Sequence, residues 1–165
     1  MVNPPPDDLR GVLRSCLNVD RWVAEVADAA PFDSLDALLT AAREATPFSE
    51  SEITEALADH PRIGEKHAAD TAAAEFSRKE QASLDRDSDD DHRVVRAIAE
   101  GNLEYEQRFG RIFLIRAKGR TRPEILAELR RRLTFDDRTE LAIVSDELRD
   151  ITLLRLEAIS EQVLS

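Results

Sequence analysis

The chain carries a single cysteine, Cys16, among its 165 residues. One thiol can form neither an intrachain disulfide nor a thiolate metal cluster, so covalent staples and cysteine-rich metal sites are excluded. Glycine is scarce as well, at five residues, which argues against a fold rich in strands and tight turns. No apolar run approaches the length needed to span a bilayer, so no membrane partner is expected. Positive charge is in deficit: 23 Lys and Arg face 34 Asp and Glu, a formal net charge of −11. That balance disfavours nucleic acid and anionic membranes as partners. An anionic small molecule remains admissible as a substrate, provided that local cations overcome the overall field. The first residues, Met1 to Asp8, are neither basic nor apolar, and the last four, Gln162 to Ser165, are not a peroxisomal address. No secretory signal is therefore expected, and a cytoplasmic location is.

What is present is helical periodicity. Hydrophobic residues make up 42% of the chain, enough for a core, and 165 residues form most simply one domain, 1–165. A domain of that size buries roughly two-thirds of the surface its unfolded chain exposes. Helices are expected over Leu9 to Leu17, Arg21 to Ala29, Ser34 to Ala45 and Ser49 to Asp59. Further ones are expected from near Ser77, over Asp90 to Arg108, Arg122 to Leu133 and Asp136 to Val163. The run Ile112-Phe113-Leu114-Ile115 is the one plausible extended segment, too short to found a sheet. The expected architecture is an all-α, single-domain bundle of roughly eight helices. The acidic run Asp85 to Asp91 lacks the glycine and terminal glutamate of a calcium loop, so no metal is expected there.

Several polar residues stand where helical patterning does not call for them. His60, in His60-Pro61-Arg62-Ile63-Gly64, follows a helix that Pro61 forces to end at or before it. An imidazole there either caps the helix or, held clear of it and favoured as a cation by the macrodipole, serves as a proton donor. On the last helix Leu141, Val144, Leu148, Ile151 and Ile159 share one face, and Arg155 falls inside that stripe. A buried guanidinium must be paired or must face a cavity, so Arg155 is either a structural ion-pair partner or an anion clamp. Ser77, Glu80, Gln81 and Leu84 share a face too. Ser77 and Glu80 have the spacing of a capping box, which leaves Gln81 unexplained. Asn102 lies on the stripe of Val95, Ile98 and Phe109 and reads as structural, with the backbone near Phe113 as its expected partner.

Taken in order, His60-Pro61-x-Ile63-Gly64, Ser77-x-x-Glu80-Gln81 and Tyr105-x-x-Arg108-Phe109-Gly110-x-x-Phe113 resemble the OHCU decarboxylases. These are the 2-oxo-4-hydroxy-4-carboxy-5-ureidoimidazoline decarboxylases of urate breakdown. The resemblance runs from about Leu9 to the helix of Arg155 and implies an all-α fold and a carboxy-lyase that needs no cofactor. It implies that His60 is the catalytic imidazole and Glu80 the essential carboxylate. It also implies that Pro61, Ser77, Glu80, Gln81 and Arg155 bind substrate together with the backbone of Ile112, Phe113, Leu114, Ile115 and Arg116. A homodimer is the implied assembly. Position 62 carries Arg where members often carry an acid. Two other readings of the residues stand beside it. One is a non-catalytic helical interaction module, which gives no reason for Arg155. The other is a metal-dependent hydrolase using His60, His67 and His92, whose spacing across a Pro/Gly break matches no helical ligand pair.

Overall fold

The computed structural model describes residues 6–58, 60, 63 and 92–164. Among these residues the regular structure is α-helix alone, in seven helices. They are α1 (Pro6–Cys16), α2 (Asp20–Asp28), α3 (Leu35–Glu44), α4 (Glu50–Leu57), α5 (His92–Phe109), α6 (Arg122–Arg132) and α7 (Asp137–Leu164). The all-α expectation holds. The helix expected near Ser77 and the acidic run lie outside the described residues. No helix among the described residues is long and apolar enough to cross a membrane. The chain forms two compact units, one of residues 1–56 and 149–165, the other of residues 57–148.

In the first unit α1 packs on α2 and α2 on α3. Leu13, Trp22, Val23, Val26 and Leu38 are fully buried there. The Trp22 indole N–H donates to the Ala42 carbonyl at 3.2 Å, so the largest core side chain strands no donor. Caps define the helix starts. The Ser34 hydroxyl accepts from the Ala37 amide at 3.1 Å, and α3 begins one residue later. Before α4 the pair Ser49 and Glu52 form a reciprocal capping box. Glu52 N–H donates to Ser49 Oγ at 3.2 Å, and Ser49 N–H donates to Glu52 Oε1 at 2.9 Å. Arg21 donates to the same carboxylate at 2.6 Å. That bond holds the Glu52 carboxyl below the usual carboxylate range.

In the second unit α5 packs on α6. Its core is Ile98, Tyr105, Phe113, Ile115, Ala117, Ile125, Leu126 and Leu129. Helix α6 opens with a capping box between Thr121 and Glu124 and a proline in its first turn. The approach of α5 to α6 depends on Gly101: a Cβ there would stand 2.5 Å from Leu129 Cδ2. Leu129 is fully buried, so relief of the contact must come at the expense of the packed core. Gly101→Val is therefore expected to cost on the order of 2 kcal/mol by overpacking, read as a lower midpoint in urea at unchanged slope. A midpoint equal to wild type would show that α6 yields freely at this contact.

Candidate active site

His60 lies three residues beyond the end of α4, half-buried, with its backbone N–H donating to the Leu57 carbonyl at 3.1 Å. The helix thus ends before Pro61, as the preceding-proline restriction demands, and His60 stands outside it. Ile63, from the same motif, packs against the core of the second unit. Its carbonyl accepts from Asn102 Nδ2 of α5 at 3.3 Å. Asn102 is thereby corrected in its partner: it reaches the His60 motif rather than the backbone near Phe113. The reason is geometric, since one turn of helix sets which backbone segment a buried amide can meet.

The second part of the site is the run 112–117, which forms no regular element. Two glycines in left-handed conformation bracket it, Gly110 (φ 71°) closing α5 and Gly119 (φ 84°) turning the chain back toward α6. Phe113, Leu114 and Ile115 are buried, while Ile112 and Arg116 are partly exposed. The Phe113 ring meets Tyr105 edge to face, centroids 5.3 Å apart, and the Arg132 guanidinium lies 4.7 Å from its centroid. Arg132 Nη1 donates to the Leu114 carbonyl at 2.7 Å. The Arg116 amide donates to Glu147 Oε2 at 3.0 Å, and the other oxygen of that carboxylate accepts from Arg120 at 3.3 Å. Arg116 Nε is buried with no hydrogen-bond partner among the described residues.

Behind this run lies an ionic core. Arg132 and Glu140 are both fully buried and ion-paired, Arg132 Nε donating to Glu140 Oε1 at 2.7 Å and its Nη2 to the same oxygen. The Tyr105 hydroxyl donates to that oxygen as well, at 2.6 Å. Burial, followed by this bond, pushes the Tyr105 phenol far above its ordinary value, so it remains a donor at any physiological pH.

Arg155 belongs to the first unit. It is 3% exposed, as its place within an apolar stripe implied, and its Nη1 donates to the Cys16 carbonyl at 3.1 Å. That carbonyl ends α1, where a cation meets the negative pole of the helix. Within the second unit Ile63 of the His60 motif packs against the cluster that includes Phe113 and Ile115. Pro61, Ser77, Glu80 and Gln81 lie outside the described residues. Among the described residues no group of three or more His, Cys, Asp and Glu side chains is placed to hold a metal ion.

Sequence reasoning passed over Glu140, Glu147 and Arg132. The signal that singled out Arg155 was available for the first two. Glu140 and Glu147 stand four residues before and three residues after Val144, on the same stripe of α7. Arg132 closes a run of three arginines and is indistinguishable there from a C-terminal charge on a solvated helix.

Among curated relatives, the uric acid degradation bifunctional protein TTL of Arabidopsis thaliana is 30% identical over 86% of this chain and 44% of its own length. The uric acid degradation bifunctional protein of Bacillus sp. (strain TB-90) is 27% identical over 84% of this chain and 27% of its own. The chain thus spans less than half the length of these two relatives. A crystal structure of OHCU decarboxylase in the presence of (S)-allantoin superposes with a TM-score of 0.72 at 25% identity, covering 89% of this chain and 96% of that one. An (S)-allantoin synthase shares the fold with a TM-score of 0.60 at 18% identity, over 94% of this chain and 50% of that one. The family profile of OHCU decarboxylase matches residues 3–157, nearly the whole length, and the chain belongs to that family.

Proposed function

We propose that this protein, acting as one catalytic domain, decarboxylates 2-oxo-4-hydroxy-4-carboxy-5-ureidoimidazoline to (S)-allantoin. Family membership over residues 3–157 carries the reading. The held backbone from Ile112 to Arg116, packed in one unit with the His60 motif, supports it. The substrate bears a carboxylate and a hydroxyl on one ring carbon. Breaking the bond to the carboxylate releases carbon dioxide and leaves an electron pair that the adjacent ring system delocalises. The ring nitrogen that receives that pair takes a proton from solvent, the hydroxyl loses its proton as the ring carbonyl forms, and the carbon carrying the ureido group takes a proton on one face. No cofactor is required for that sequence. The protein's task is to turn the carboxylate out of the ring plane, stabilise the developing charge and direct the proton.

His60, beside the substrate hydroxyl, assists loss of carbon dioxide and moves the proton. Glu80 and Gln81 hold the ureido and ring nitrogens, with Ser77 and Pro61 alongside. Backbone groups between Ile112 and Arg116 meet the ring, and Arg155 anchors the anion, which resolves how an acidic protein holds an acidic substrate. The same reading has the protein working as a homodimer in the cytoplasm. A coupled assay followed by circular dichroism tests it, with urate converted by urate oxidase and hydroxyisourate hydrolase in the presence and absence of this protein. Rapid growth of the (S)-allantoin signal is expected. Racemic product formed at the uncatalysed rate would leave the interaction module as the better reading. Arg155→Met is expected to raise KM at least tenfold in this assay, the loss of one charge-assisted contact. An unchanged KM would make Arg155 a support for the end of α1 alone.

A further inference from the structure

We infer that Glu147 and Arg132 are positioning residues that hold the backbone from Ile112 to Arg116 in its ligand-binding register. The inference rests on the function proposed above. The two grips are specific in their targets. Arg132, from α6, donates to the Leu114 carbonyl at 2.7 Å, and Glu147, from α7, accepts from the Arg116 amide at 3.0 Å. Both residues are buried, at 0% and 8% exposure, where a polar contact is little diluted by water.

The two grips occupy the carbonyl of residue 114 and the amide of residue 116, and they leave the N–H and C=O of Phe113 and Ile115 unengaged. Phe113 and Ile115 are 2% and 3% exposed, and among the described residues their backbone groups make no hydrogen bond. Buried backbone groups require partners. A cyclic urea or ureido group, with donors and acceptors alternating along its edge, is complementary to such a run. Arg120 completes the device from behind. By donating to Glu147 Oε1 it fixes the carboxylate so that Oε2 faces the Arg116 amide.

The test is Glu147→Ala beside Glu147→Gln in the full chain, read by kcat, KM and amide hydrogen exchange at Arg116. With helical circular dichroism retained, Glu147→Ala is expected to raise KM about tenfold with kcat within about threefold of wild type. Glu147→Gln, whose amide oxygen still accepts from the Arg116 amide, is expected to restore KM to within about threefold. Exchange at the Arg116 amide is expected to accelerate in the alanine variant alone. An active wild type with KM unchanged in folded Glu147→Ala overturns the inference. An inactive wild type overturns the proposed function instead. In that case faster Arg116 exchange in Glu147→Ala still supports the grip, and unchanged exchange overturns it. Should Glu147→Ala not fold, Arg120→Met is read in its place: a KM raised a few-fold supports the inference and an unchanged KM overturns it.

Discussion

Replacing His60 with alanine is expected to lower kcat by about 10²–10⁴-fold, the range that positioned acid–base groups contribute, while KM stays within a few-fold of wild type. The asymmetry follows from where the residue sits. Its backbone N–H bonds the Leu57 carbonyl, and an alanine keeps that bond and the end of α4 intact. The side chain is half-buried beyond the helix, so truncation removes an imidazole without excavating the core. The turn that carries it is tied separately, by Asn102 to the Ile63 carbonyl. Binding contacts and fold therefore survive, and proton movement does not. The coupled dichroism assay reads the outcome directly, since loss of His60 leaves the slow background reaction, whose product is racemic. A His60→Ala enzyme running near the wild-type rate would transfer the proton-handling role to another group and reduce His60 to a helix cap.

Much of this was legible in the residues because helix patterning is local. The ends of α4 and α5 follow from Pro61 and Gly110, and the stripe of α7 from spacing alone. His60 and Arg155 were visible as polar groups out of place, while the choice between the roles open to each came only with the family resemblance. The partners were less legible. Asn102 met Ile63 rather than the run near Phe113, because which backbone lies opposite a helix face is decided by packing. Nor does any linker mark the two compact units. Their boundaries fall between Ala56 and Leu57 within α4 and between Leu148 and Arg149 within α7, where helix propensity is continuous. Glu140 and Glu147 were passed over although they share the apolar stripe of α7, because a charge is buried only when another element brings its counter-charge.

That counter-charge sets the largest expected change in stability. Arg132→Met is expected to destabilise the protein by about 3–5 kcal/mol, because it strands Glu140 in the core. For a chain of this size that is a fall in Tm of roughly 10 °C. Glu140 has little to fall back on. Its Oε1 receives Arg132 and the Tyr105 hydroxyl, and its Oε2 has no hydrogen-bond partner among the described residues. Replacing both charges, as Arg132→Met with Glu140→Leu, is expected to recover most of the loss, since removing a buried pair entirely is often close to neutral. Recovery stops short while the Tyr105 hydroxyl lacks its acceptor, and adding Tyr105→Phe is expected to return about another 1 kcal/mol. One donor remains missing even then: the Leu114 carbonyl no longer receives Arg132. The triple variant is thus expected to melt near wild type and yet bind substrate worse, whereas a KM restored along with Tm would show that Arg132 serves the core and not the backbone run.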